Sequence, residues 1–78
     1  MARVDRLERK QMERNSLHEP ATASYTVFGL DGGKKVLQID SYGSDQRQAP
    51  GKKSQSLQFT EETAAELMRI LRDEMGLR

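Results

Sequence analysis

Lys34-Lys35-Val36-Leu37-Gln38-Ile39-Asp40-Ser41-Tyr42 and Ser54-Gln55-Ser56-Leu57-Gln58-Phe59, with Thr60-Glu61-Glu62 directly behind the second run, decide the fold of this chain. Both runs alternate with the period of two that a strand requires. Leu37 and Ile39 fall on one face and Val36, Gln38, Asp40 and Tyr42 on the other; Leu57 and Phe59 share a face with Gln55, while Ser54, Ser56 and Gln58 point away. The expectation is a sheet with one apolar core face and one mixed, wet face. A twisted sheet with a polar open face, backed by one helix, suits a binding module better than an enzyme.

Upstream, Tyr25, Thr26, Val27 and Phe28 are β-formers within a first strand over about Ala21 to Leu30. It ends at Asp31-Gly32-Gly33, and Asp-Gly between two strand patterns is a strong hairpin signal. Downstream, Thr60 is placed as a helix N-cap, Glu61 and Glu62 complement the positive end of the helix dipole, and Gly76 stands where a C′ glycine belongs. Ala64, Leu67, Met68, Leu71 and Met75 recur at helical spacing, with Ile70 widening the stripe. The predicted fold is therefore α+β: a small curved antiparallel sheet of three to four strands followed by one C-terminal amphipathic helix. Residues 21–78 form this domain. Residues 1–20 are dense in charge, with Val4, Leu7 and Met12 as their sparse apolar residues before Leu17, and read as a flexible arm bounded by Pro20.

A chain of 78 residues is one domain at most. Domains this short bury only about 60% of the surface their unfolded chains expose, so the core is marginal. With no cysteine, neither a disulfide nor a thiolate zinc site can staple it, and a second copy is the expected source of missing core. The helix stripe is broader than a few strands cover, which makes Leu67, Met68, Leu71 and Met75 the candidate dimer interface. No apolar run approaches the roughly 18 residues that span a membrane, so a soluble, cytoplasmic protein is expected.

Catalytic constellations are not evident. His18 is the one histidine and lies in the polar arm, without a second histidine to complete a metal site or triad. Glu61-Glu62 and Asp73-Glu74 are adjacent acids whose side chains diverge by about 100° on a helix. Gly32-Gly33 belongs to a hairpin turn, not to a phosphate-cradling loop. No enzyme activity, cofactor or metal is expected.

Net charge is +1, yet its distribution is uneven. Residues 1–20 carry five basic and four acidic side chains, 21–59 five and three, and 60–78 three and five. The sheet region is the basic part. Lys34 and Lys35 open one strand, Lys52 and Lys53 open the next, and Arg47 lies in the loop between them. A nucleic-acid backbone crossing the sheet would be held at both margins, with Tyr42 or Phe28 for stacking and Gln38, Gln58, Ser54 and Ser56 for hydrogen bonds.

Lys35-Val36-Leu37-Gln38-Ile39 to Tyr42, Pro50-Gly51-Lys52-Lys53, Ser56-Leu57 and the acidic helix start at Glu61 resemble the core of the transcriptional positive cofactor four family, over roughly Tyr25 to Leu71. The resemblance implies a homodimer that binds single-stranded DNA across its sheet with little sequence preference, and makes Lys35, Lys52 and Lys53 the matching basic contacts. Gly43 stands where the family has a stacking tryptophan, and Asp40 where it has a basic residue. The run Gln38 to Ser44 is also similar to small bacterial proteins from which no function carries over. The expected function is non-catalytic binding of single-stranded DNA in transcription, replication or repair. The rival is a protein-interaction subunit or small regulator of a larger complex, using the helix stripe or an exposed strand edge.

Overall fold

A computed structural model describes residues 1–44 and 55–78. Its elements are β1 (Ala2–Val4), β2 (Ala21–Gly29), β3 (Lys35–Ser44), β4 (Gln55–Phe59) and α1 (Glu61–Asp73). The four strands form one open sheet in the order β1-β4-β3-β2. β3 pairs antiparallel with both β2 and β4, whereas β1 runs parallel to β4. The α+β architecture with a C-terminal helix is as the alternation and the capping signals predict.

The hairpin between β2 and β3 forms at the Asp-Gly-Gly signal. The Gly33 N–H donates to the Leu30 carbonyl at 3.2 Å and the Leu30 N–H to the Lys34 carbonyl at 2.7 Å. Gly32 and Gly33 take φ of 92° and 87°, a region in which a Cβ is costly. At the helix start, the Thr60 side chain accepts from the Thr63 N–H, with Glu61 and Glu62 in the first turn. At its end the C-cap is Glu74, whose N–H donates to the Ile70 carbonyl at 2.9 Å; Gly76, two residues on, has φ 73° and lets the Leu77 N–H reach back to the Leu71 carbonyl at 3.0 Å.

Part of the charged arm belongs to the sheet. Ala2, Arg3 and Val4 stand in register with Leu57, Gln58 and Phe59, so residues 1–20 supply an edge strand as well as the exposed stretch behind it. Farther along, Arg9 pairs with Glu74 at the end of α1.

The distribution of burial corrects the expectation of an apolar core face opposite a wet one. Register places Tyr25, Val27, Leu37, Ile39, Leu57 and Phe59 on one face, and Ser24, Thr26, Phe28, Val36, Gln38, Asp40, Ser56 and Gln58 on the other. Phe59 is buried on the first face, but Leu37 and Ile39 are half-buried and Leu57 is exposed. On the second, Val36, Asp40 and Ser56 are all buried. Polar side chains can be covered there because they satisfy one another. The Ser56 hydroxyl and the Gln38 amide, the latter at 3.0 Å, both donate to one oxygen of Asp40. The helix packs against β3 and β4, with Thr63 its buried residue.

Asp40 is 4% exposed, so its removal should be felt. Asp40→Ala leaves the Ser56 hydroxyl and Gln38 amide without their acceptor and should cost about 1.5–3 kcal/mol in urea denaturation. A change below about 0.5 kcal/mol would show that the carboxylate holds nothing together.

Candidate nucleic-acid interface

Cross-strand register builds the polar face in rows. Arg3, Gln58, Gln38 and Thr26 stand side by side across β1, β4, β3 and β2, and Ser56, Asp40 and Ser24 form the next row. Gln58 donates an amide hydrogen to the Gln38 carbonyl oxygen at 2.9 Å, and Gln38 passes its own on to Asp40. Beyond them, the Tyr42 and Ser24 hydroxyls share a hydrogen bond of 2.6 Å. Each glutamine amide carries two donor hydrogens and two acceptor sites, so these bonds use part of its capacity.

Of the candidates read from the sequence, Gln38, Tyr42 and Ser56 come together on this face. Lys34 does not join them: its ammonium group lies 3.2 Å from Glu62. The Lys35 N–H donates to Glu61 at 2.9 Å, and its register opposite Gly29 puts its side chain on the apolar face. Both lysines thus meet the acidic start of α1, which returns to the head of β3. Arg47, Lys52, Lys53 and Ser54 lie outside the described residues.

Arg3 is the residue that sequence reasoning missed. It is exposed, stands next to Gln58, and lines an open cleft of about 220 Å³ with Met1, Ala2, Ser56 and Gln58. The cleft brings a permanent cation to the rim of the amide and hydroxyl rows, the arrangement an anionic backbone requires. The sequence did not point there, because the alternation of Ala2, Arg3 and Val4 is only three residues long, too short to announce a strand.

The dimer candidates occupy two environments. Leu67 and Leu71 are half-buried, while Met68 and Met75 are 68% and 65% exposed. Met68 and Leu71 line a second cleft, of about 330 Å³, with Arg72, Leu77 and Arg78. Among the described residues no group of three or more His, Cys, Asp or Glu side chains is placed to hold a metal ion. Among the described residues no helix is long and apolar enough to cross a membrane.

No protein-family model, no curated protein and no solved structure matches the chain.

The Glu62 carboxyl is held below its ordinary value of 4.5, first by its own backbone N–H at the helix start, then by Lys34 and the Thr60 hydroxyl. A depressed folded value means that the charged form stabilises the fold: the contribution is complete above the ordinary value and disappears as pH falls through the depressed one. Glu62→Gln should therefore lower the melting temperature at neutral pH and converge with the parent in acid. Added salt should shrink the difference at neutral pH, since both partners are exposed. Equal melting curves for parent and variant at neutral pH and low salt would refute the contribution.

Proposed function

We propose that this chain is a non-catalytic, homodimeric nucleic-acid-binding protein that takes single-stranded DNA in the cytoplasm, for transcription, replication or repair. The observation that carries the reading is the placement of Arg3 beside Gln58, at the rim of the face where Gln38, Tyr42 and Ser56 gather. Arg3 supplies the phosphate contact and the half-buried Gln38 and Gln58 amides supply hydrogen bonds that tolerate any base, while Ser56, buried against Asp40, holds the row in register. Arg47, Lys52 and Lys53 add charge in the sequence between β3 and β4.

A second reading, a protein-interaction subunit without nucleic-acid binding, is favoured by the exposed Met68 and Met75 and the apolar cleft at the end of α1. Methionine-bearing surfaces of this kind adapt to partner helices.

Titration against labelled single-stranded and double-stranded oligonucleotides over a salt series separates the two. Single-strand binding should weaken with salt, and Arg3→Ala should reduce the log–log slope by about 0.7. Lys52→Ala with Lys53→Ala should reduce it further. Tyr42→Ala should cost about 1–3 kcal/mol of affinity with the slope kept, if its ring stacks on a base. No binding at low salt selects the interaction-subunit reading.

A further inference from the structure

β2 is the outer strand of the sheet at the edge opposite β1, and its sequence Ala21-Thr22-Ala23-Ser24-Tyr25-Thr26-Val27-Phe28-Gly29 holds no charged residue and no proline. Natural edge strands are blunted by lysine, proline, shortness or a covering element. β2 has nine residues, one register irregularity near Ala21, and no partner on its outer side among the described residues. Its side chains are open to solvent, Tyr25 by 75% and Val27 by 55%.

The hairpin fixes which backbone groups face outward. Leu30 and Lys34 form a hydrogen-bonded position, so the antiparallel alternation gives Phe28 with Val36, Thr26 with Gln38, and Ser24 with Asp40 the inward bonds. The N–H and C=O groups of Tyr25, Val27 and Gly29 therefore point to the open edge.

We infer that a second copy of this chain pairs there, β2 against β2 in antiparallel sense about Tyr25, joining two four-stranded sheets into one of eight. Tyr25 is the midpoint of the strand, so this register pairs all nine positions. Ala23 meets Val27, Ser24 meets Thr26, Thr22 meets Phe28 and Ala21 meets Gly29. Tyr25 meets its own copy at the axis, Ala23 and Thr22 face larger residues, and no charge faces a charge. The register also keeps each face intact, so the exposed apolar surface of Tyr25 and Val27 continues across the two-fold axis. A nine-residue strand is about 31 Å long, and a ribbon of that length and about 10 Å thickness covers less than the roughly 800 Å² per partner of a standard interface. Self-association should accordingly be of micromolar strength.

The inference names the interface of the homodimer in the proposed function and is independent of its ligand. Sedimentation equilibrium at tens of micromolar should find the parent dimeric. Val27→Pro removes one outward N–H and leaves the β3 ladder untouched, so it should be monomeric with its far-ultraviolet circular dichroism retained. If that variant unfolds, Tyr25→Lys, which sets two like charges directly opposite each other on the axis, gives the same reading. Tyr25→Cys, the single cysteine in the chain, should form an intersubunit disulfide on mild oxidation. A monomeric parent overturns both the homodimer and this interface. A dimeric parent whose Tyr25→Lys variant stays dimeric, with no Tyr25→Cys cross-link, overturns the interface alone. Oligonucleotide titration of the same variants tests the ligand separately.

Discussion

Asp40 is the point on which the sheet closes. It lies on the central strand, and one of its oxygens receives both a donor from its own strand, Gln38, and one from β4, Ser56. A buried carboxylate is expensive unless its lone pairs are taken, so the favourable geometry is the one in which β3 and β4 hold the register Asp40 to Ser56. A slip of one residue would put Leu57 against the carboxylate and turn every side chain of β4 to the wrong face. The row of Gln58 and Gln38, the position of Arg3 beside it, and the approach of α1 after Phe59 all inherit that register.

The elements that were legible carry local signals. β2, β3, β4 and α1 announce themselves through alternation, an Asp-Gly turn, a threonine cap and a terminal glycine, each of which acts within a few residues. β1 carries no such signal: Ala2, Arg3 and Val4 are a strand because β4 offers them an edge. The distribution of burial was hidden for a related reason. Val36, Asp40 and Ser56 read as members of a wet face on composition, whereas the bonds that let Asp40 and Ser56 be buried are properties of pairs across strands.

The candidate site divides along the same line. Strand parity was enough to place Gln38, Tyr42 and Ser56 on one face. It could not show that Lys34 and Lys35 would meet Glu62 and Glu61, because that depends on the helix doubling back to the head of β3. The capping acids thus do two jobs, complementing the helix dipole and holding the β2–β3 hairpin against the first turn of α1. Charge that looked available for a ligand is partly spent inside the fold, and the cation at the polar face comes from Arg3 instead.

The parallel pairing of β1 sets an order of events. Ala2 is partnered by Leu57, 55 positions later, while the strands of the β2–β3 hairpin are joined by a turn at Asp31–Gly33. Closing a long loop costs entropy that short-range contacts do not, so local pairs form first and distant ones follow. During synthesis the hairpin can assemble as soon as it emerges, but β1 must wait for β4, although it is made long before. Until then the start of the chain is an unpaired segment, and Arg3 takes its place on the polar face only when the last strand is in position. Formation of the candidate site therefore coincides with completion of the sheet.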